Sequence, residues 1–497
     1  MPTPDTICPE CGSRLQAVRG GRAPRIPAGP LAVGIAGVVG VLALLWIAVA
    51  LFNQKSSHDG LNGGSASNGY YLRLSGSNTI GAKLAPELVK AWLASKGASD
   101  IRDEGRTEGG KPIPESVISA HLDGHDIKVE VRAHGSATAF TDLAAHTADI
   151  GMASRPIKDA EVESLASFGD MRSTSNEHVL GLDGVAVVVP PGNSAPKLSR
   201  SDLKRIFTGR AGNWSEFNGD DRPIHLYARD DKSGTYDTFK ELVLKGDPLG
   251  EAKRFEDSAE LEEAVAHDPG GIGFIGLPYV NTTRALAISD GSSAALEPTR
   301  FSVKTENYAL SRRLFLYTPA NSTNPAVNEF VVYALSSAGQ SVVRAVHFVD
   351  LDPTPQPQQP KTTATASTCR LSDRWTGDAN AYCKLREGAE QLGTSFRFRS
   401  GSGTLDTRAT QDLRRVLDLM ERSPDRTIIL AGFADNFGAY TGNCALSRSR
   451  AESVSKALAT LGLRVTDMLG FCDELPVRDN STADGREQNR RVEIFLK

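Results

Sequence analysis

Short apolar runs alternate with longer amphipathic segments through the middle of the chain. The short runs predict β-strands, and they read HDIKVEVRAH, DGVAVVVPP, RPIHLYAR, GGIGFIG and RLFLYTP. The amphipathic segments predict helices because their apolar residues recur every three or four positions, and they read APELVKAWLAS, SRSDLKRIF and NEFVVYALSS. This alternation predicts an α/β domain over residues 70–351.

A second pattern occupies residues 368–497. Strand-like and helix-like segments follow one another as SFRFR, RATQDLRRVLDLMERS, RTIILAGFAD, ALSRSRAESVSKALATLG, DMLGFCD and RRVEIFL. They predict an α+β domain of βαβαβ order with one further strand. On its second helix, the apolar stripe expected to face the core consists of Leu446, Val454, Ala457, Leu458 and Leu461.

An arginine lies on or beside this predicted stripe. Arg450 is four residues from both Leu446 and Val454, so a buried Arg450 side chain needs a carboxylate partner. Asp435, at the end of RTIILAGFAD, is the natural candidate. One interpretation is therefore a purely structural Asp435–Arg450 ion pair that holds the strand to the helix.

One segment is long and apolar enough to cross a membrane. Leu31 to Phe52 carries no charge over 22 residues, and about 20 apolar residues span a hydrocarbon core. Four arginines against two acidic residues precede it, which predicts a cytoplasmic stub over residues 1–30 and a periplasmic location for everything after residue 53. The alternative is a cleaved signal peptide, but its apolar core is shorter than this run, and a small-residue cleavage site is lacking.

The six cysteines divide between the two sides of this segment. Cys8 and Cys11 form a CxxC in the cytoplasmic stub, which supplies half of a four-ligand zinc site; bound zinc and a metal-free stub both remain open. The four others fall in the oxidising compartment, at Cys369, Cys383, Cys444 and Cys472. Three pairings exist, and we expect Cys369–Cys383 and Cys444–Cys472 because each pair lies within one local unit.

Two stretches are typical of linkers. Residues 53–69 are rich in Ser, Gly and Asn and predict a flexible tether, whereas residues 352–367 are rich in Pro, Thr and Gln and predict an extended one. At 497 residues, 40% hydrophobic and 23% charged, the chain is typical of a globular protein with several domains. A net charge of -4, without a basic run among aromatics, argues against a nucleic-acid partner.

Three strand-to-helix junctions in the middle domain carry small polar residues. They read SGSNT ahead of Ile80, GSAT from residue 135 and RDDKSGT from residue 229. Helix starts bind anions through free N–H groups, hydroxyls add donors, and glycine lets the backbone approach closely. Arg229 offers a planar fork suited to phosphate. Each junction taken alone is also an ordinary helix cap.

The order of these junctions resembles that of the periplasmic phosphate-binding proteins, the PstS-like solute receptors of phosphate ABC transporters. The matching stretches include SGSNTIG, ADIGMASRPIKDAE, LSRSDLKRIFTGRAGNW, RDDKSGTYDTF and GGIGFIGL. The resemblance implies two α/β lobes that are joined by a hinge and close on the anion. The phosphate contacts that it implies are Ser77, Asn78, Thr79, Ser136, Ser154, Arg229, Ser233, Gly234 and Thr235.

One position departs from the family pattern. Family members carry an aspartate after the serine that corresponds to Ser154, where it accepts a hydrogen bond from protonated phosphate, but this chain has Arg155 there. A carboxylate acceptor favours hydrogen phosphate over sulfate because only the former can donate. Asp149, Asp230 or Asp231 are candidates to replace it, so the sequence predicts an oxyanion site and leaves its selectivity open.

The stretch GFADNFGAYTGNCALSRSRAESV resembles the signature of OmpA-like peptidoglycan-binding domains. Counted from Asp435, Gly438 lies 3 residues on, Asn443 8, Leu446 11 and Arg450 15. The resemblance implies that Asp435 and Arg450 bind the diaminopimelate of peptidoglycan stem peptides, with Asn443 and Leu446 at the same site. A carboxylate beside a guanidinium complements the ammonium and carboxylate of that ligand.

Together these features predict a non-enzymatic, single-pass protein of the cytoplasmic (inner) membrane. Its periplasmic bulk is expected to bind phosphate or a similar oxyanion, and peptidoglycan, with a phosphate ABC transporter as a candidate partner. The alternatives are a structural membrane-to-wall tether with an empty receptor domain, and an envelope phosphatase. The phosphatase is disfavoured because the extracytoplasmic sequence has no HExxH, GxSxG or clustered His/Asp set. Apart from zinc at Cys8 and Cys11, no cofactor is expected.

Overall fold

The structure is a computed structural model, and it describes residues 69–108, 111–231, 233–356, 369–398 and 403–497. The predicted cytoplasmic stub, the membrane helix over Leu31 to Phe52 and nearly all of the first linker lie outside these residues. Among the residues that are described, no helix combines the length and the apolar character that crossing a membrane requires.

The middle domain alternates strands and helices, as its sequence pattern predicts. Its strands are β1 Leu72–Gly76, β2 Ser99–Glu108, β3 Lys111–Leu122, β4 His125–Ala133, β5 Ile150–Ala153, β6 Glu177–Val189, β7 Lys197–Ser199, β8 His225–Arg229, β9 Ala252–Phe255, β10 Gly271–Gly276, β11 Arg284–Ala285, β12 Ala287–Ser289 and β13 Ser311–Tyr317. Its helices are α1 Ala85–Ser95, α2 Ser136–Ala144, α3 Asp159–Ser164, α4 Arg200–Phe207, α5 Gly234–Phe239, α6 Ser258–Ala266, α7 Arg300–Lys304, α8 Pro325–Leu335 and α9 Ser337–Ala345. A π-helical turn precedes α1 at Ile80–Leu84, and another follows α5 at Lys240–Leu244.

Two strands connect the two lobes of this domain. The strand order is β2-β3-β4-β1-β5-β13-β6-β10-β8-β9, with β11 beside β6. The first half of β6 pairs with β13 in the sheet of the first lobe, and from Val185 onward β6 pairs with β10 in the sheet of the second lobe. The two-lobed α/β fold expected from the sequence is therefore present, and β6 and β13 lie at the junction of the lobes.

The C-terminal domain is an α+β sandwich of helices on one mixed sheet. Its strands are β14 Pro355–Gln356, β15 Glu390–Arg397, β16 Ile428–Gly432, β17 Val465–Gly470 and β18 Arg491–Leu496. Its helices are α10 Ala381–Gly388, α11 Thr407–Glu421, α12 Tyr440–Thr460 and α13 Ala483–Asn489. The strand order is β14-β15-β18-β16-β17. The expected disulfides Cys369–Cys383 and Cys444–Cys472 are both present.

The buried face of α12 differs from the predicted apolar stripe. Leu446 is 50% exposed, and the buried residues of this helix are Asn443, Ser447, Ala451, Val454 and Leu458. The prediction for Leu446 was wrong because α12 lies too close to the sheet for large side chains at its N-terminal end. A Cβ on Gly432 would lie 2.0 Å from the carbonyl oxygen of Ser447. Small residues on both elements permit this approach, and Leu446 is turned outward.

The beginning of the second predicted linker is part of the fold. Residues Pro355 and Gln356 form β14, which pairs with Leu392 and Gln391 of β15 at the edge of the C-terminal sheet. Just before β14, the carbonyl oxygen of Asp352 accepts a hydrogen bond from Lys304 Nζ at 2.9 Å. The chain therefore passes from the middle domain into the C-terminal sheet without a free segment before residue 356, whereas residues 357–368 are not described.

Candidate functional site

The predicted oxyanion residues come together where the strands of the middle domain meet the helices. Ser136 begins α2, and its Oγ lies 3.1 Å from Ser154 Oγ and accepts a hydrogen bond from the Ser154 N–H at 3.0 Å. Thr79 Oγ1 lies 3.3 Å from the carbonyl oxygen of Gly234. A Cβ on Gly234 would lie 2.4 Å from Thr79 Oγ1, so only glycine allows the two loops to approach this closely.

The remaining predicted contacts lie in the same loops. Ser77 is buried, and its N–H donates to the carbonyl oxygen of Met152 at 2.7 Å. Ser233 caps α5, because its Oγ accepts hydrogen bonds from the N–H groups of Thr235 and Tyr236. Within the described residues, the side-chain oxygen of Asn78 is buried without a hydrogen-bond partner. These residues therefore lie on the same loops as Thr79, Ser154 and Gly234, and their contact with an anion stays a prediction.

An arginine that no sequence motif marks occupies the centre of this group. Arg312, on β13, donates from Nη1 to Ser154 Oγ at 3.0 Å and from Nη2 to Thr79 Oγ1 at 2.6 Å. Nη2 also donates to the carbonyl oxygen of Gly234 at 2.8 Å. Its side chain is only 5% exposed. Burial lowers the pKa of Arg312, and the charge of Asp183 opposes that shift, so the guanidinium remains charged at neutral pH.

Arg229, the arginine expected from the resemblance, has different partners. Its Nη1 donates to Ser258 Oγ at 2.5 Å, and its Nη2 donates to the carbonyl oxygen of Glu256 at 2.7 Å. Within the described part of the chain, no hydrogen bond joins it to Thr79, Ser154 or Arg312. The two arginines therefore belong to different hydrogen-bond groups in this structure.

The carboxylate beside the site is Asp183, which the sequence analysis did not single out. Its Oδ2 lies 3.4 Å from Arg312 Nη2 and accepts a hydrogen bond from Thr238 at 3.3 Å. Two of the three expected replacement carboxylates have other partners, since Asp149 pairs with Arg73 and Asp231 with Arg254.

Arg155, which stands in place of the family's aspartate, is also engaged elsewhere. Its guanidinium forms two hydrogen bonds with Glu161, at 2.8 and 2.6 Å, and lies 5.3 Å from the centre of the Phe140 ring. Arg155 is thus neutralised by its own partner, and the positive charge at the site comes from Arg312.

In the C-terminal domain, the predicted wall-binding carboxylate pairs with an arginine other than the expected one. Asp435 lies beyond the end of β16, and its Oδ2 is 2.9 Å from Arg490 Nη1. Its Oδ1 accepts a hydrogen bond from the Phe437 N–H at 2.9 Å. Arg450 donates to the carbonyl oxygen of Phe433 at 3.3 Å. The simple Asp435–Arg450 ion pair is therefore replaced by Asp435–Arg490, with Arg450 nearby.

The three charges nevertheless influence one another. Burial lowers the pKa of Arg450, while the charge of Asp435 raises it and that of Arg490 lowers it. Asn443 is 1% exposed, and its Nδ2 donates to Asp473 at 3.3 Å, so it supports the site from within. Leu446, half exposed, is on the outer surface of α12.

Metal binding finds no support in the described ranges. They contain no group of three or more His, Cys, Asp and Glu residues placed to hold an ion. Cys8 and Cys11, the predicted zinc ligands, lie outside them, so the zinc site stays a prediction.

Two family models match this chain. Residues 110–338 match the PBP superfamily domain, and residues 397–490 match the OmpA family. The middle domain is thus similar to the PBP superfamily and the C-terminal domain to the OmpA family, and we call them the PBP domain and the OmpA domain. Both matches fall on segments whose motifs suggested these families, and together they confirm the two resemblances.

Individual proteins resemble one domain or the other. The phosphate-binding protein PstS of Staphylococcus aureus is 28% identical over 283 residues, which is 54% of this chain and 85% of that protein. An ABC-type phosphate transport receptor from Vibrio cholerae is 21% identical with a TM-score of 0.43 and covers 56% of this chain and 99% of its own. The peptidoglycan-associated lipoprotein from Burkholderia pseudomallei is 27% identical with a TM-score of 0.19, and the match covers 21% of this chain and 89% of that protein.

Sequence reasoning missed an arginine in each site, and in the oxyanion site it also missed Asp183. Arg312 of the PBP domain lies in an ordinary strand sequence, SRRLFLY, and nothing local shows which of its two arginines faces the serines. Arg490 of the OmpA domain lies in the matching stretch NRRVEI, which signals the family but not the ion pair. In both cases a partner distant in sequence decides the role.

Proposed function

We propose that this chain is an envelope protein whose PBP domain binds phosphate or a related oxyanion while its OmpA domain attaches to peptidoglycan. The observation that carries the oxyanion proposal is the buried guanidinium of Arg312 among the hydroxyls of Thr79 and Ser154. A buried charge needs a counter-charge, and the carboxylate that pairs with it among the described residues, Asp183, is 3.4 Å away.

The hydrogen-bond directions favour an anion. Arg312 donates to the hydroxyl oxygens of Thr79 and Ser154, so the hydrogen of each hydroxyl must go to another acceptor. The Thr79 hydroxyl donates to the carbonyl oxygen of Gly234 at 3.3 Å, a long hydrogen bond that a bound anion would replace. Helix α2 starts at Ser136 and adds main-chain N–H groups with the positive end of the helix dipole. The relative in Staphylococcus aureus is named a phosphate-binding protein, which makes phosphate the first anion to test.

The test is isothermal titration of the full-length chain in detergent with phosphate and with sulfate. We expect Arg312→Met to weaken phosphate binding by about 2–5 kcal/mol, since the substitution removes one partner of a buried charge-assisted contact. Arg229→Met is the matched comparison. Because its guanidinium already bonds Ser258 and Glu256, we expect a smaller loss.

Two results would contradict this assignment. If neither phosphate nor sulfate bound the wild-type chain, the structural tether would be the better interpretation. If Arg312→Met kept full affinity for phosphate and Arg229→Met lost most of it, Arg229 would be the charged contact, as the resemblance implies. A preference for phosphate over sulfate would indicate that Asp183 accepts a hydrogen bond from the O–H of hydrogen phosphate.

For the OmpA domain we propose recognition of diaminopimelate by Asp435 and Arg450. The ligand's free amino-acid head carries one ammonium and one carboxylate, and this site offers both complementary charges. Arg490, which holds Asp435 at 2.9 Å, orients the carboxylate toward the ligand. Leu446 is exposed one turn away from Arg450 along α12.

The test is co-sedimentation with intact sacculi, read beside a melting curve. Asp435→Ala and Arg450→Ala should each abolish pelleting while the domain stays folded, because either change leaves one ligand charge unpaired. Arg448→Ala is the matched control, since Arg448 is on the same helix, is 62% exposed and pairs only at 3.6 Å with Glu452. Folded Asp435→Ala and Arg450→Ala variants that still pellet would show that the site lies elsewhere.

We also propose that the segment over Leu31 to Phe52 anchors the protein in the cytoplasmic membrane, with both domains in the periplasm. Cys8 and Cys11 then face the cytoplasm. A membrane-impermeant maleimide should label them only after the cells are lysed. Labelling in intact cells whose outer membrane alone has been permeabilised would reverse the topology.

A further inference from the structure

The two domains meet in a buried cluster of charges. Glu306 of the PBP domain is 4% exposed, and its carboxylate forms an ion pair with Arg313 of the same domain, with Nε at 2.5 Å. It also pairs with two arginines of the OmpA domain, Arg397 through Nε at 2.9 Å and Arg408 through Nη1 at 2.8 Å. Both of these arginine side chains are 1% exposed. We call the PBP-domain surface formed by Glu177, Asp290 and residues 304–313 the hinge face.

A third arginine of the OmpA domain holds the main chain of the hinge face. Arg478 donates to the carbonyl oxygens of Glu306 at 2.9 Å, Asn307 at 3.0 Å and Tyr308 at 2.5 Å. It also donates to Ser311 Oγ at 3.1 Å. Ser311 is the first residue of β13, so the OmpA domain fixes the start of a strand that connects the lobes.

Further contacts reach both sides of the lobe junction. Thr407, at the start of α11, donates to Glu177 at the start of β6 at 2.5 Å. In the second lobe, Asp290 accepts a hydrogen bond from the Asp479 N–H at 3.4 Å. Because the OmpA domain contacts the first residue of each connecting strand as well as the second lobe, a rotation of one lobe against the other changes the spacing of these contacts.

Two neighbouring residues of β13 link the hinge face to the oxyanion site. Successive side chains of a strand point to opposite faces. Arg312 accordingly bonds Thr79 and Ser154 in the oxyanion site. Arg313 bonds Glu306 and, at 2.8 Å, Asp406 of the OmpA domain. If Arg312 moves toward a bound anion and β13 shifts with it, Arg313 is displaced in the interface as well.

Within the OmpA domain, the buried charge cluster is connected to the proposed peptidoglycan site. Arg397 donates from Nη1 to the carbonyl oxygen of Gln488 in the last turn of α13. Two residues later, Arg490 forms the ion pair with Asp435. The same short segment thus holds the interface arginine and positions the carboxylate proposed to bind diaminopimelate.

We infer that the hinge face is the docking surface for the chain's own OmpA domain, and that through it oxyanion binding and peptidoglycan binding are coupled. The inference rests on the proposed function of both sites. Coupling between two sites is reciprocal, so each ligand must change the affinity for the other by the same factor. Typical couplings are about five-fold or larger.

The experiment measures this factor in both directions with the full-length chain in detergent. Affinity for sacculi of diaminopimelate-type peptidoglycan is measured by co-sedimentation without and with saturating inorganic phosphate. Affinity for phosphate is measured by titration without and with a saturating soluble muropeptide that contains diaminopimelate. We expect both affinities to change by the same factor, about five-fold or more.

Two interface variants and one control isolate the docking surface. Arg313→Met removes the charge beside Arg312, and Thr407→Val removes only the hydroxyl that contacts Glu177, a mild change in case the first variant folds poorly. Both should bind each ligand with a coupling factor near one. Arg205→Met is the control, because Arg205 is 47% exposed and pairs with Glu216 within the PBP domain; it should keep the wild-type factor.

The outcomes are distinct. A wild-type chain that binds both ligands with no mutual effect would overturn the inference and leave the proposed function intact. Unchanged coupling in folded Arg313→Met and Thr407→Val would also overturn it, because the hinge face would then not carry the effect. Failure of phosphate to bind at all would overturn the proposed function, and the inference with it.

Discussion

Replacing Glu306 by glutamine removes one negative charge from a buried cluster that three arginines share. Arg313 keeps Asp406 at 2.8 Å, and Arg408 keeps Asp412 at 3.2 Å. Arg397 is left with main-chain partners only, the carbonyl oxygens of Thr305 and Gln488. Breaking a buried ion pair on one side costs about 3–5 kcal/mol. Because two of the three arginines keep a carboxylate, we expect a value of about 3 kcal/mol.

The assay is urea unfolding of the full-length chain, with a double-mutant cycle to isolate the interdomain pair. Glu306→Gln, Arg397→Met and the double variant should give a coupling energy of about 1–3 kcal/mol. The control is Glu216→Gln, whose partner Arg205 is 2.8 Å away but whose side chain is 37% exposed. Exposed pairs contribute less than about 1 kcal/mol, so the control should differ little from wild type.

The effect of Glu306 also has a predicted pH dependence. The charges of the surrounding arginines outweigh burial and hold the pKa of Glu306 well below its usual value. The stability that its carboxylate contributes is therefore present above the ordinary glutamate pKa and lost as pH falls through the folded value. The difference in the free energy of unfolding between wild type and Glu306→Gln should be constant from about pH 5 to 8 and should become smaller only in acid.

Two results would show that the cluster does not hold the domains together. One is that the effects of Glu306→Gln and Arg397→Met on the free energy of unfolding simply add in the double variant. The other is that Glu306→Gln lowers this free energy no more than Glu216→Gln does.

Two other residues give tests of packing and charge. Burial raises the pKa of Glu177 above its usual value, so its contribution to stability is full below the unfolded pKa and is lost as pH rises through the folded one. The melting temperature of wild type minus that of Glu177→Gln should therefore fall as pH rises from about 4 to 7; a flat difference would contradict this. Gly432→Ala should destabilise the OmpA domain by about 1–3 kcal/mol, since its Cβ would meet the Ser447 carbonyl oxygen at 2.0 Å. Gly442→Ala, with open space around its Cβ, is the matched control. If Gly432→Ala melted like wild type, α12 would be able to move away from β16 and make room for the methyl group.

The local elements could be predicted from the sequence because their causes are local. The segment APELVKAWLAS, read as a helix from its apolar spacing, is α1 over Ala85–Ser95. The run HDIKVEVRAH, read as a strand, contains β4 over His125–Ala133. Small polar residues at strand-to-helix junctions likewise marked the loops that carry Thr79, Ser136 and Ser233. In each case the side chains that decide the conformation lie within a few residues of one another.

The charged partners could not be predicted in the same way. Arg312 and Arg313 are adjacent and identical in type, yet one faces the oxyanion site and the other the OmpA domain. Arg490, not Arg450, pairs with Asp435. An ion pair forms where burial and distance favour it, and both depend on how segments far apart in the chain pack together.

The sequence by itself determined that the chain holds two domains, which strands and helices build them, and which loops carry the hydroxyls of the oxyanion site. Only the tertiary structure decided which arginine lies among those hydroxyls, and that the two domains share a buried face around Glu306. The reason is physical. Backbone conformation follows from the preferences of neighbouring residues, whereas the position of a buried charge follows from the long-range packing that removes water from around it.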